Sequence, residues 1–250
     1  MRLTDFKALT FDCYGTLIDW ETGMMHALDG LVEKSKRKLT RDLILEAHAR
    51  HESAQQRQTP TKRYCDLLSI VYKRLAEEWG VAVNIDECEE YGQSIGHWPA
   101  FIDSPGTLQY LKKFYKLIIL SNIDNRSFSF SNNTLCVEFD AIYTAEDIGS
   151  YKPDDRNFVY MLEHVGNLGL AKGDILHTAE SLFHDHVPAR RHGIANCWIH
   201  RRHAQEGFGA TMDPGQKPKI DFKFNSLAEL AEAHRKALRD GNSDLLPGER

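Results

Sequence analysis

Residues 6–11 (FKALTF) form a compact apolar run with a β-branched and aromatic bias, ending at Asp12. Such a run predicts a buried strand. Four helix-like segments follow, over residues 22–36, 40–57, 61–79 and 86–95, with no strand pattern between them. In the second, Leu43, Ala47 and Ala54 fall near one face, and Gly80 ends the third. This run predicts a separate helical unit. Beyond residue 100 the pattern changes. Strands are expected at 117–120, 139–143, 174–177 and around 197–199, with an alternating stretch at 219–224 suited to a sheet edge. Helical segments at 105–114, 154–165, 183–192 and 226–238 separate them. Alternating strands and helices place the chain in the α/β class, as a doubly wound parallel sheet with helices on both faces. The expected division is an α/β core, residues 1–17 and 97–250, and a helical cap, residues 18–96, inserted after the first strand. Gly96 and Pro99 break regular structure at the second crossing. Residues 201–218 read as a polar loop, and those from Asp240 as a frayed tail.

Composition narrows the class. Hydrophobic residues at 42% suffice for a core, and charged residues at 27%, of both signs, argue against a disordered chain. A net charge of −5 provides no general attraction for nucleic acid or an anionic membrane surface. The longest apolar stretch, Leu117-Ile118-Ile119-Leu120, falls far short of the ~20 residues of a membrane span. The start, Met1-Arg2-Leu3-Thr4-Asp5, is too polar for a signal peptide. Five cysteines with no CxxC pair suggest reduced, mostly buried thiols in a cytoplasmic protein. His184-Asp185-His186 looks like a zinc cluster, but adjacent helical residues point about 100° apart and grip one ion poorly.

In doubly wound sheets the ligand site lies beyond the carboxyl ends of the strands. The first expected strand ends in Asp12-Cys13-Tyr14-Gly15-Thr16, which places a carboxylate in a turn lined with backbone N–H groups. The next ends in Ser121-Asn122, a hydroxyl and an amide suited to an anion. Lys152-Pro153-Asp154 follows, with Pro153 suited to a first helical turn and Lys152 just before it. Glu180 and Asp185 come after the strand around Leu176, where two acids can hold a cation or cap a helix.

In this order the four elements resemble the four motifs of the haloacid dehalogenase superfamily, over nearly the whole chain. The resemblance implies its Rossmann-like core and a helical cap that closes over the site and selects the substrate. It implies that Asp12 attacks the substrate and forms a covalent intermediate, while Ser121 and Lys152 hold the transferred group. Tyr14, Thr16 and Asn122 complete the implied catalytic set. The substrate is expected to be a small anionic molecule, with neither nucleic acid nor membrane as partner. A carboxylate is a weak nucleophile, but an ester splits one hard displacement into two easier steps. A cation beside Asp12 favours its charged form.

Within the superfamily the sequence is closest to the 2-haloacid dehalogenase type. Superfamily phosphatases carry a second Asp two residues after the nucleophile, to protonate the leaving alkoxide; here that residue is Tyr14. A halide needs no such proton. Three departures point the other way. The arginine of the dehalogenase cap aligns with His48, with Arg50 two residues on; a tyrosine six residues after the lysine becomes Phe158; and the fourth motif carries Glu180. Asp12, Glu180 and Asp185 would bring three carboxylates together, more than Lys152 balances. The expectation is therefore a magnesium-dependent phosphatase of small phosphoesters, with Asp12, Tyr14, Glu180 and Asp185 as the metal set. The alternatives are a metal-independent 2-haloacid dehalogenase and a degenerate member that only binds a ligand. With no Asp at position 14, His48, His51 or another cap residue would have to supply the proton.

Overall fold

The computed structural model describes residues 1–243. Six parallel strands form one sheet: β1 (Ala8–Phe11), β2 (Lys116–Ser121), β3 (Ala141–Thr144), β4 (Ile175–Ala179), β5 (Ala195–Ile199) and β6 (Phe222–Phe224). Their order is β3-β2-β1-β4-β5-β6. β1 is wholly buried and pairs Leu9 with Leu117 on one side and with Leu176 on the other. Central strands covered on both faces read as apolar runs, which is why they were visible in the sequence. Alternate residues feed two layers. Leu9, Phe11, Leu117 and Ile119 pack into one, and Ala8, Ile118, Leu120 and Ile175 into the other.

After β1 the insert forms four α-helices, α1 (Trp20–Lys34), α2 (Arg41–Gln58), α3 (Tyr64–Trp79) and α4 (Ile85–Gln93). Thr40 and Asn84 cap the starts of α2 and α4 with side-chain oxygens, and Gly80 ends α3 at φ 74°. The inner face of α2 departs from the pattern expected: Leu43 is half exposed, while His48, Glu52, Gln55 and Gln56 are buried beside Ile44 and Ala47. The insert is tied to the sheet side by Asp124, which caps α6 (Asn125–Leu135) through Ser127 N–H and also accepts the Cys65 N–H at 3.0 Å.

The remaining helices are α5 (Ser104–Leu111), α7 (Ala145–Ile148), α8 (Asp155–Val165), α9 (Val187–Arg191) and α10 (Leu227–Ser243). α6 and α7 were not anticipated. α9 follows a wide turn over Leu182–His186. Pro153 precedes the N-cap Asp154 of α8 instead of standing in its first turn. α10 carries through 240–243, where a tail was expected, and 244–250 lie outside the described residues. Cys13, Cys88 and Cys197 are buried, but Cys136 is exposed. Residues 201–218 contain no helix or strand, yet Arg202 is buried and pairs with Glu21 of α1. No helix among the described residues is long and apolar enough to cross a membrane.

Candidate active site

The strand order reverses between β1 and β4, and Asp12 stands one residue beyond β1 at that crevice. Its backbone N–H still donates to Thr178 at 3.2 Å, so the sheet itself aims the carboxylate. The chain then turns tightly, with Gly15 N–H donating to Ile18 at 2.8 Å. Gly15 sits at φ 93°, and a Cβ there would stand 3.0 Å from the Trp20 indole nitrogen. Thr16 Oγ1 donates to Asp12 Oδ2 at 2.8 Å and accepts the Glu180 N–H at 2.9 Å.

Lys152 is buried, and all three of its ammonium protons are placed. Nζ donates to Asp12 Oδ1 at 2.9 Å, Asp185 Oδ1 at 2.7 Å and the Leu120 carbonyl at 2.9 Å. Its main chain is locked by Asn122, whose Oδ1 accepts the Lys152 N–H at 2.7 Å while Nδ2 donates to the Lys152 carbonyl at 3.0 Å. Asn122 thus positions the lysine, and it lines the same crevice with the second N–H of its amide still unassigned among the described residues. Asp185 is braced by His177 Nε2 at 3.0 Å, and the other ring nitrogen of His177 meets Thr10 Oγ1 at 2.9 Å. A neutral ring that donates from Nε2 accepts the threonine hydroxyl at Nδ1. Ser121 Oγ and Asp185 Oδ2 are buried and have no hydrogen-bond partner among the described residues.

One ammonium serves two carboxylates, and they titrate apart. Burial raises Asp12 above the usual carboxylate range, against the pull of Lys152, and the charge of Asp185 adds to the rise. Asp185 is equally buried, yet Lys152 and His177 hold it well below that range. Burial opposes the charge on Lys152, but the two carboxylates outweigh it and raise its pKa. Burial also pushes the Cys13 thiol far up, which leaves it inert as a nucleophile.

The crevice closes into a cavity of about 30 Å³, lined by Asp12, Ser121 and Lys152 on the sheet side and by Trp20, Glu52 and Tyr64 from the insert. That is room for one or two water molecules. A hollow of about 910 Å³ lies on the insert between α1 and α4, but it lacks a paired nucleophile and cation and is not the centre of the chemistry. Glu52 is the unexpected member of the catalytic cavity. Its Oε1 accepts from Tyr64 Oη at 2.7 Å and Gln56 Nε2 at 3.1 Å. Burial raises it to about 7.

The structure does not gather the four residues expected to hold magnesium. Asp185 Oδ1 is committed to Lys152 and His177. Tyr14 lines the cavity, but its hydroxyl pairs with Ser131 at 2.8 Å. Glu180 lines an adjoining cavity with Glu21 and Arg202. Among the described residues no group of three or more His, Cys, Asp or Glu side chains could hold a metal ion. Of the four, only Asp12 and Asp185 stand together, with the ammonium of Lys152 between their Oδ1 atoms and Asp185 Oδ2 unpartnered among the described residues.

The cap residues expected to serve the site are also elsewhere. Arg50 is exposed and makes a two-pronged pair with Glu78, which also takes His51. His48 is fully buried, with neither ring nitrogen hydrogen-bonded among the described residues, and burial lowers it to about 3. Phe158 is buried and sets its ring edge-on to His177, the residue that braces Asp185. His177 and Glu52 were both missed in the sequence. A histidine inside an apolar strand, and polar residues at helical spacing in α2, were the available signals.

A family model described as haloacid dehalogenase-like hydrolase matches residues 6–178. An L-2-haloacid dehalogenase of known structure is 21% identical, with 92% of this chain and 99% of that one covered and a TM-score of 0.72. The L-2-haloacid dehalogenase from Xanthobacter autotrophicus is 16% identical, with coverage of 92% and 98% and a TM-score of 0.73. A magnesium-bound HAD-hydrolase from Bacillus subtilis is 20% identical, with coverage of 93% and 98% and a TM-score of 0.69. At these identities the likeness is one of fold. No protein of curated function matches the sequence significantly.

Proposed function

Because the chain belongs to the haloacid dehalogenase-like hydrolase family, we propose that it hydrolyses a carbon–halogen bond of a small 2-haloacid through a covalent ester on Asp12, without a divalent cation. The observation that carries this reading is the ammonium of Lys152, held between Asp12 and Asp185. It sets a buried positive charge against the nucleophilic carboxylate, opposing the effect of burial, and itself occupies the space between the two acids. A phosphoester dianion would meet both aspartates with that single compensating charge; a haloacid brings one negative charge, and its halide departs without a proton. The neighbours named as L-2-haloacid dehalogenases support the same chemistry.

In the first step a carboxylate oxygen of Asp12 forms a bond to the substrate carbon, and the carbon–halogen pair leaves with the halide. Lys152 and Thr16 hold the two oxygens of Asp12 and so fix the angle of attack. The Ser121 hydroxyl, buried and without a partner, is free to donate to the substrate. In the second step water attacks the ester carbonyl. Asp12 is restored, the alcohol forms, and one proton is released. Asp185 Oδ2, unpartnered and beside Lys152, is placed to orient that water.

The test is release of halide from 2-chloropropionate and 2-bromopropionate, and of phosphate from 4-nitrophenyl phosphate, each with and without excess chelator. The reading expects halide release that ignores the chelator, and a mass increase on the Asp12 peptide after rapid quenching. Phosphate release that needs magnesium, with no halide release, would overturn it in favour of the phosphatase.

A further inference from the structure

In-line displacement drives the leaving group away from Asp12, towards the wall that the insert builds from Trp20, Glu52 and Tyr64. A departing anion in a dry cavity needs a cation or a hydrogen-bond donor. Among the described residues the one lysine or arginine lining this cavity is Lys152, and it is bound to both aspartates. Among the described residues the insert contributes none: Arg50 faces Glu78, and Arg41 lines the adjoining cavity with Glu21, where Arg202 of the 201–218 loop joins it. What the insert brings to the cavity instead is a carboxyl group.

Resting on the reading above, we propose that Glu52 works as a neutral carboxylic acid whose Oε2 hydrogen receives the departing halide. The geometry selects the oxygen. Oε1 already accepts from Tyr64 and Gln56, which makes it the carbonyl oxygen of the acid. The proton therefore belongs on Oε2, whose nearest ionisable partner is His48 Nδ1 at 3.8 Å. The ionisable groups against Glu52 on its own side of the cavity are three tyrosines and a histidine. Tyr64 from α3 and Tyr91 from α4 are held far above the usual phenol value by burial, and Tyr151, ahead of α8, is raised as well. His48, on Glu52's own helix, stays uncharged because burial lowers it to about 3. Across the cavity stand Asp12 and Asp185, both paired with Lys152, and His184, which burial lowers to about 4. An ionised Glu52 would have no cation of its own, and burial raises it accordingly to about 7.

The chemistry balances without a proton transfer. The carbon–halogen electron pair goes to the halide, Glu52 donates a hydrogen bond, and the halide leaves as the anion when the cavity opens. Above about pH 7 the acid ionises and repels the halide instead, so the site switches off towards alkaline pH.

Bromide binding to the Asp12→Asn variant tests this without turnover, because the amide imitates the uncharged esterified state. Calorimetry at pH 6 and pH 8.5 should show affinity falling about tenfold or more as Glu52 ionises. With Glu52→Gln added, the side-chain amide still donates, and the affinity should no longer depend on pH. Bromide binding that ignores pH in Asp12→Asn, or that falls equally in the double variant, overturns the proposal. If the double variant does not fold, turnover by Glu52→Gln alone replaces it: the loss of activity above about pH 7 should vanish, and its persistence counts against Glu52. Pronounced pH-dependent bromide binding with no haloacid turnover would leave Glu52 as a halide donor and refute the dehalogenase reading; turnover with bromide binding indifferent to Glu52 would do the reverse.

Discussion

On the sheet side of the cavity, Asp12 and Asp185 share the ammonium of Lys152, and Asp185 gains His177 as well. On the insert side Glu52 meets only Gln56, Tyr64 and an uncharged His48. The carboxyl groups are comparably buried, yet the sheet wall sets a fixed ammonium against burial, holding Asp185 well below the usual range and opposing the rise of Asp12, while on the insert wall burial pushes Glu52 up to about 7. The sheet wall can do so because Asn122 anchors the Lys152 backbone at the edge of the crevice, so the counter-charge is fixed in place. Where a fixed counter-charge stands it works against burial; where none does, burial acts unopposed.

The largest break in this comparison is expected from Asp12→Asn. Its turnover should fall below about 1% of the parent, because an amide cannot form the ester. Circular dichroism should show an unchanged fold, and retained turnover, after deamidation is excluded by mass, would remove Asp12 from the mechanism. Lys152→Met comes next. It leaves two buried carboxylates without their cation, and should cost about 3 kcal/mol of stability as well as the activity. Chemical denaturation near pH 7 measures this, and a loss under 1 kcal/mol would mean that the pair is far better solvated than its geometry indicates.

Glu52→Gln sharpens the other wall. The folded-state value of Glu52, about 7, lies above its ordinary 4.5. Between those values the folded state binds more protons than the unfolded chain, so Glu52 weakens the fold as pH rises from about 4.5 to 7. The variant should match the parent near pH 4 and exceed it above pH 7, by on the order of 3 kcal/mol at most. A stability difference that is flat across this window would show that Glu52 titrates normally. Arg50→Ala should have the smallest effect. Its pair with Glu78 is exposed, so the loss should stay within about 1 kcal/mol, with turnover changed less than about twofold. A large loss of turnover would restore Arg50 to the site.

Much of this architecture was legible in the sequence. Parallel strands buried on both faces announce themselves as apolar runs, and Asp12, Ser121 and Lys152 were found by asking what stands at their carboxyl ends. α6 escaped because its sequence, NRSFSFSNNTL, is rich in residues that prefer turns; tertiary burial of Phe128 and Leu135 and the cap from Asp124 hold it as a helix. Glu52 escaped because α2 buries polar residues at positions 48, 52, 55 and 56, a helical spacing normally searched for in apolar residues. The polar reading of residues 201–218 missed Arg202, whose partner Glu21 lies 181 positions away along the chain. The metal expectation came from counting acids by motif; the direction of Glu180, towards Arg202 and away from the catalytic cavity, is a property of the folded turn.

The cavity at Asp12, at about 30 Å³, is smaller than any haloacid. On the proposed reading the conformation described here is too tight for its substrate, and each cycle includes a widening to admit haloacid and another to discharge alcohol and halide. Such a machine has a throughput ceiling set by hinge kinetics, independent of the strength of its nucleophile. Added viscogen should then slow turnover even where a better leaving group fails to speed it.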